Sequence, residues 1–556
     1  CYLWCRGGAL TISLGTISFD EAILLRQLRQ DMRDDWFPDA LGYQDLMRSG
    51  DPRARIEQNF NANHGRYVPT SRDVFNIPKP NFTVRYGLET SICDRIVYHA
   101  LASSISVHID PLIPPVIYSH RRDPHRRDER YLFRRSIAAW QDFVGSVRAD
   151  LHPGEQLLST DLTNYFDNID LVKLRDLLSG LVTQANCSPT EKAQLRSEVT
   201  LLFQLLQDWT FEIGRGLPQN RDASSFLANV YMLPIDLAMR AKGYRYFRYM
   251  DDIKVICPDV YAARRALKDL IVELRDRGLA VNSKKTTICA AENLEAVNDC
   301  LDAGSPDIAH LDALWATRSR QVVARSFPLL RQLTERALLE GDGERIDTRE
   351  FRYCMNRMVM LATCSEFAVP PAYFESVTQL VVQRLADHPA ATDQFVRYLR
   401  AVPLGQAEQD GIAHYLLDDH RSLYGWQNYR LWKLMGQRGF ARPDLIARAR
   451  TVLAEKDDGA SRAGATLYLG SLGADEDREH VAARFGTLRS FLGQRAALVA
   501  LQGLPFAPSI RDQVAPHVRT DLHGVYRALN RRERVYFSPL ESTSISQIID
   551  AERDYA

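Results

Sequence analysis

Tyr244-Arg245-Tyr246-Phe247-Arg248-Tyr249-Met250-Asp251-Asp252-Ile253-Lys254-Val255-Ile256-Cys257 is the stretch that decides the fold. Aromatic and β-branched residues stand on both sides of an acidic break, the pattern of two strands joined by a tight turn. Aspartates suit turns on their own account, so Asp251 and Asp252 carry chemistry only if another acidic residue stands nearby. Two-metal phosphoryl transfer needs oxygen ligands from separate elements, converging on ions about 3.5–4 Å apart. Asp161 meets that need. It ends a buried strand expected over residues 156–162 and opens Asp161-Leu162-Thr163-Asn164-Tyr165-Phe166-Asp167.

The elements between fit the same domain. Residues 171–181 have helical periodicity, and residues 221–224 open a helix carrying Leu227, Val230, Tyr231 and Ile235 on one face, with a kink expected at Pro234. After the hairpin, Ala263, Leu267, Leu270, Ile271 and Leu274 mark a helix that Gly278 stops, and a strand is expected from Leu279. Strand, helix, helix, hairpin, helix, strand is the order an α+β polymerase palm requires.

These motifs resemble the reverse transcriptase family, in order over about residues 75–290. Asp161 with Phe166 matches the first carboxylate motif. Gly216-Leu217-Pro218-Gln219 with Ser224, Leu227 and Asn229 is similar to the template- and nucleotide-binding segment. Tyr249-Met250-Asp251-Asp252 matches the hallmark, and Gly278-Leu279-Ala280-Val281-Asn282-Ser283-Lys284-Lys285-Thr286 the helix-to-strand motif after it. Ile77-Pro78-Lys79 through Arg85, then Asp94-Arg95, resembles the fingers segment. The resemblance implies Asp161, Asp251 and Asp252 as catalytic carboxylates and Asp161, Leu162, Asp251 and Asp252 as the ligands of two Mg²⁺ ions. It implies Lys79 and Arg85 on the incoming triphosphate, Gln219 on nucleotide or template, and Lys285 as the motif's lysine. It also implies Phe166 beneath the sugar, where an aromatic ring excludes a ribose 2′-hydroxyl and selects deoxynucleotides.

Two departures stand out. Asn220-Arg221-Asp222-Ala223 replaces the glycine and small residue usual after Pro218-Gln219. Beyond residue 300 there is no short thumb but a long helical segment. That layout resembles the bacterial abortive-infection and defence-associated reverse transcriptases, of which some members start DNA from a protein hydroxyl or work without a conventional template. The expected architecture is right-hand-type fingers and palm followed by an all-α, HEAT-like helical-repeat domain: residues 1–150 N-terminal and fingers, 151–304 palm, 305–556 helical. Within the last part, Arg462-Ala463 recurs 33 residues on as Arg495-Ala496, and Arg478, Glu479, Val481 and Ala482 recur as Arg511, Asp512, Val514 and Ala515. A looser copy includes Leu431, Gly436 and Leu445. Helix pairs at that period read as a solenoid.

At 556 residues, two or three cores are expected. Lys plus Arg and Asp plus Glu each total 70, which excludes a globally basic nucleic-acid coat and leaves local patches, such as the seven arginines within residues 120–135. Nine cysteines without a Cys-x-x-Cys pair make neither a disulfide framework nor a zinc site. No apolar run is long enough to span a bilayer. The mildly apolar residues 9–17 are read as part of an intracellular protein, so a cytoplasmic bacterial enzyme is expected.

The expected partners are deoxynucleoside triphosphates, a DNA product, an RNA template where one is used, and further copies of the chain in a homo-oligomer. A basic, aromatic path for single-stranded nucleic acid is expected at Trp426, Tyr429 and Trp432 beside Arg430 and Lys433, against the alternative that these rings are inter-helix core. Two other functions compete: a polymerase-fold scaffold that binds RNA without chemistry, and a group II intron-like mobility enzyme. Three intact acidic positions disfavour the first, and the lack of a Cys/His cluster after residue 300 disfavours the second.

Overall fold

The computed structural model describes residues 11–545 other than 16, 48–50, 71, 124–130, 302–305, 318, 341–345, 347, 456–458, 503–507 and 529–534. The chain divides into two compact units, residues 1–35, 50–72 and 90–303 in one and residues 36–49, 73–89 and 304–556 in the other. Eight strands are described: β1 Thr11–Leu14, β2 Ile17–Asp20, β3 Asp73–Pro78, β4 Val84–Glu89, β5 Gln156–Thr160, β6 Arg245–Tyr249, β7 Asp252–Cys257 and β8 Thr287–Ala290.

In the first unit a four-stranded antiparallel sheet has the order β6-β7-β5-β8. Its central strands β5 and β7 are buried along nearly their whole length, and Phe143, Val147, Leu157, Phe247, Ile256, Cys289 and Val297 form one core against it. The Asp222–Ala241 helix runs on through Pro234, and Ala223, Phe226, Leu227, Val230, Tyr231 and Leu233 are all at most 1 % exposed. Gly278, at φ 76°, closes the Val260–Asp276 helix, its N–H donating to the Arg275 carbonyl and that of Leu279 to the Leu274 carbonyl.

Three expectations need correction in this unit. No strand begins at Leu279: only Val281 makes a bridge, to Leu162, because the Asn282 side chain accepts from Lys284 N–H and starts a 3₁₀ turn, delaying β8 to Thr287. A 21-residue helix, Pro189–Trp209, stands between the two helices read from the sequence. Of the arginine patch, Arg126, Arg127 and Arg130 lie outside the described residues, and the others are engaged locally. Arg121 pairs with Asp110, Arg122 donates to the Ser103 carbonyl, Arg134 pairs with Asp142, and Arg135 donates to the Tyr131 hydroxyl.

Among the described residues, the regular structure of the second unit is helical apart from the β3–β4 hairpin. Its helices form two rows. Arg349–Thr363, Thr392–Ala401, Gly425–Gln437, Ala460–Leu472 and Phe491–Ala500 each pack on the next in one row; Phe327–Glu340, Glu375–Gln383, Gln406–Leu417, Pro443–Ala454, Asp475–Arg484 and Pro508–Val514 do so in the other. Glycine permits the closest approach: a Cβ on Gly470 would lie 2.4 Å from Ala500 Cα. The hairpin joins this core, with Phe75 and Ile77 packing among Phe37, Trp426, Tyr429, Leu467 and Val499.

That packing overturns the aromatic path. Trp426, Tyr429 and Trp432 are 3 %, 1 % and 1 % exposed, and Arg430 and Lys433 are buried beside them. Trp426 Nε1 donates to the Trp36 carbonyl, Tyr429 Oη to the Pro38 carbonyl, and Lys433 Nζ to the Pro38 and Asp39 carbonyls. Segments far away in sequence cover the face that the sequence left looking open.

Candidate active site

Register brings the acidic residues together. The β5–β7 ladder ends at Thr160 opposite Ile253, so one more step sets Asp161 against Asp252. The β6–β7 ladder pairs Tyr249 with Asp252, which leaves Met250 and Asp251 as a two-residue turn. Met250 takes a positive φ of 53° there, and its side chain is buried. The strand end at Asp161 is pinned in turn, because Asn282 N–H donates to its carbonyl at 2.7 Å and Thr163 N–H to the Ala280 carbonyl at 2.9 Å, with buried Leu162 between them.

Electrostatics there match a cation site. Burial and the neighbouring Asp161 and Asp252 carboxylates push Asp251 up to about 8. Burial also raises Asp252, against the opposing pull of Lys254. The Asp251 carboxyl comes within hydrogen-bond reach of Asp161, whose buried Oδ1 meets no donor. Lys285 reaches the other oxygen of Asp161, and Lys254 lies 3.4 Å from Asp252 Oδ1. Burial disfavours the Lys285 charge, but the Asp161 carboxylate holds its pKa above the ordinary value. Among the described residues no three His, Cys, Asp or Glu side chains form a closed metal cage. Mg²⁺ does not require one: it is held by one or two carboxylates, waters and substrate phosphates. Two facing carboxyls with an unserved oxygen therefore fit such an ion.

The loop that carries Phe166 is built against the Gly216–Gln219 stretch. Leu217 N–H donates to the Phe166 carbonyl and Gly216 N–H to that of Ile169, while Gly216 has φ 93° and faces the Asp167 backbone. Gln219 Nε2 donates to Asp167 Oδ1 at 2.7 Å. Buried Tyr165 hydrogen-bonds the Ala228 carbonyl, so half-buried Phe166 is held from both sides. Arg221 and Asp222 turn inward rather than toward a template. Arg221 is 6 % exposed and pairs with Asp35, which Arg95 grips through two bonds of 2.7 and 2.8 Å. Asp222 N–H donates to Asp31.

Residues 77–326 match the sequence profile of the family described as reverse transcriptase (RNA-dependent DNA polymerase). The chain carries a reverse transcriptase domain. It is by class an RNA-directed DNA polymerase. No curated protein matches the chain. Within the reverse transcriptase domain, Asp161, Leu162, Phe166, Gln219, Asp251, Asp252 and Lys285 share the first unit. Lys79 and Arg85 lie on the β3–β4 hairpin of the second, where Lys79 N–H closes the turn on the Thr83 carbonyl and Arg85 pairs in register with Ile77. No described helix is long and apolar enough to cross a membrane.

Sequence reading missed Lys254 and Arg248. Both are cations at inward positions of apolar strands, 2 % and 0 % exposed. A buried charge must be paired, so a lone Lys or Arg breaking an otherwise apolar alternation was the available signal. Asn229, which resembled part of a nucleotide-binding segment, is fully buried and bonded to Arg248.

Proposed function

We propose that the chain adds deoxynucleotides to a growing DNA by two-metal phosphoryl transfer, with Asp161 and Asp251 as principal carboxylates and Asp252 in support. The observation that carries this reading is the register that sets Asp161 against the Met250-Asp251-Asp252 turn, with Asp161 Oδ1 buried and unserved. Asp161, Leu162, Asp251 and Asp252 would hold the ions. When bound, Mg²⁺ supplies activation of the primer hydroxyl and neutralises charge on the triphosphate and pyrophosphate.

The remaining roles belong to the chain's own groups. Lys285 and Lys254 compensate the carboxylates before substrate arrives, which keeps three acids from repelling one another apart. Phe166, fixed by the Leu217 N–H bond and by Tyr165, presents a wall to the sugar and excludes a 2′-hydroxyl. Gln219, tethered to Asp167, lies alongside to meet nucleotide or template. Lys79 and Arg85 bind triphosphate oxygens through charge-assisted hydrogen bonds.

Assembly of several copies through a HEAT-like helical domain, and a role in antiphage defence with protein-primed or untemplated synthesis, complete the proposal. The two rows of stacked helices support the first, since such rows present extended surfaces; the resemblance noted from the sequence supports the second. The test is incorporation of labelled deoxynucleotides by the purified full chain with Mg²⁺, given an RNA template and primer, a DNA template and primer, or neither. Mg²⁺-dependent product that Asp161→Asn abolishes is expected. No product under any of the three conditions would overturn the reading. Nuclease digestion followed by mass spectrometry of the protein reports any tyrosine-linked product, and light scattering reports the subunit number.

A further inference from the structure

Beneath the acidic turn lies a group that the phosphoryl-transfer chemistry does not itself use. Arg248 is 0 % exposed, and every nitrogen of its guanidinium is engaged. Nε and Nη2 donate to the two oxygens of Asp236 at 2.8 and 2.7 Å, Nη1 donates to Asn229 Oδ1 at 2.9 Å, and Nη1 also donates to the Met250 carbonyl at 2.8 Å. Asp236 is itself fully buried and accepts a third bond from Tyr246 Oη at 2.9 Å. Asn229 donates in turn to the Ser119 carbonyl. The Arg248 backbone is clamped as well: its N–H donates to the Val116 carbonyl and its carbonyl accepts from Tyr118 N–H.

We infer that Arg248, locked by Asp236 and Asn229 of the Asp222–Ala241 helix, is a positioning residue for polymerisation that fixes the Met250 carbonyl and so the direction in which Asp251 is presented. The inference rests on the proposed role of Asp251. Three points carry it. A two-residue hairpin turn favours Gly, Asn or Asp where φ is positive, and methionine at φ 53° gains nothing from its own chemistry, so an outside group must hold the turn. The group that does so sits two residues before Met250, near the end of β6, and its other side-chain bonds run to the Asp222–Ala241 helix rather than to solvent. Lastly, a buried ion pair is not in itself a source of stability, since an apolar pair of similar volume commonly serves as well. The Arg248–Asp236 pair is therefore retained for what it orients.

Two variants test this. Arg248→Met with Asp236→Leu removes both charges together and leaves neither charge unpaired, and Arg248→Lys keeps the charge but loses the fork. Each is assayed as the full chain for steady-state incorporation with Mg²⁺, and without Mg²⁺ for hydrogen–deuterium exchange across residues 246–256. Asp251→Asn runs alongside. The expectation is a fall in kcat on the order of a hundredfold for the double variant, a smaller fall for Arg248→Lys, nucleotide KM within threefold of wild type, and faster exchange confined to the turn. If the double variant does not fold, Arg248→Lys decides. A folded variant whose kcat stays within threefold of wild type overturns the inference. So does a kcat loss accompanied by faster exchange across the whole palm. Should Asp251→Asn retain full activity, it is the catalytic reading that fails, and the two failures are thus distinguishable.

Discussion

Replacing Asp251 by asparagine should stabilise the metal-free protein while abolishing incorporation. Asp251 is pushed from an ordinary 3.8 to about 8 by burial and by Asp161 and Asp252. A native-state acid raised in this way binds its proton more tightly than the unfolded chain does, so its contribution to stability falls as pH rises from about 4 to about 8. At about 1.4 kcal/mol per pH unit the full span is roughly 6 kcal/mol. The side chain is only half-buried, and solvent screening reduces the effect to about 2–3 kcal/mol. Asparagine keeps the shape without the charge, so at pH 8 the variant should melt about 4–6 °C above wild type, and at pH 4.5 the difference should vanish. Mg²⁺ should raise the wild-type melting temperature and leave that of the variant nearly unchanged. Calorimetry at the two pH values, with and without Mg²⁺, reads all of this. A variant that melts below wild type at pH 8, or that Mg²⁺ stabilises as much as wild type, refutes the account of a strained carboxylate cluster built for cations.

Phe166→Val should raise the ratio of ribonucleotide to deoxynucleotide incorporation by about tenfold or more, read in competition assays, because the smaller side chain leaves room for a 2′-hydroxyl. An unchanged ratio would remove Phe166 as the sugar gate. Trp432→Ala should cost about 3–5 kcal/mol of stability in the helical unit, as truncation of a fully buried aromatic does, without lowering single-strand affinity in the surviving folded fraction. Burial, with Arg430 close by, depresses Lys433 to about 7, so the unfolded chain binds its proton more tightly. Stability should therefore rise with pH between about 7 and 10, and Lys433→Met should flatten that slope in urea titrations.

The hairpin and the acidic turn were legible because two local signals agree there: runs of aromatic and β-branched residues over β6 and β7, and turn chemistry between them. Asp161 was legible through its place at the end of a buried strand, where a second carboxylate is needed, and through its position in a known order of motifs. The Pro189–Trp209 helix carried its own signals, Ser188 and Glu191 forming a capping box around Pro189 at the first helical position, with Leu195, Val199, Leu202 and Leu206 on one face. The strand expected at Leu279 failed for a local reason, since Asn282 diverts the chain one residue after Val281. Long-range pairing is what the sequence hides. Arg221 and Asp222 read as a departure from the family motif at the opening of a helix, and their partners Asp35 and Asp31 lie almost two hundred positions upstream. Trp426, Tyr429 and Trp432 recur every third residue on a helix that no sequence pattern shows to be covered on both sides.

The same logic explains where the cations of the palm stand. A strand that must end in carboxylates cannot also bury them among apolar residues, because three acids held together repel, and desolvation adds to that cost. The chain meets this from three directions. Lys254 on β7 faces Asp252 and donates to Ser159 on β5 at 2.8 Å, Lys285 reaches Asp161 from the turn before β8, and Arg248 holds the Met250 carbonyl from below. Lys254 and Arg248 are nearly inaccessible, whereas the Lys285 side chain is 51 % exposed. The two buried cations thus act as fixed parts of the frame. Lys285 is the one of these three cations that solvent reaches.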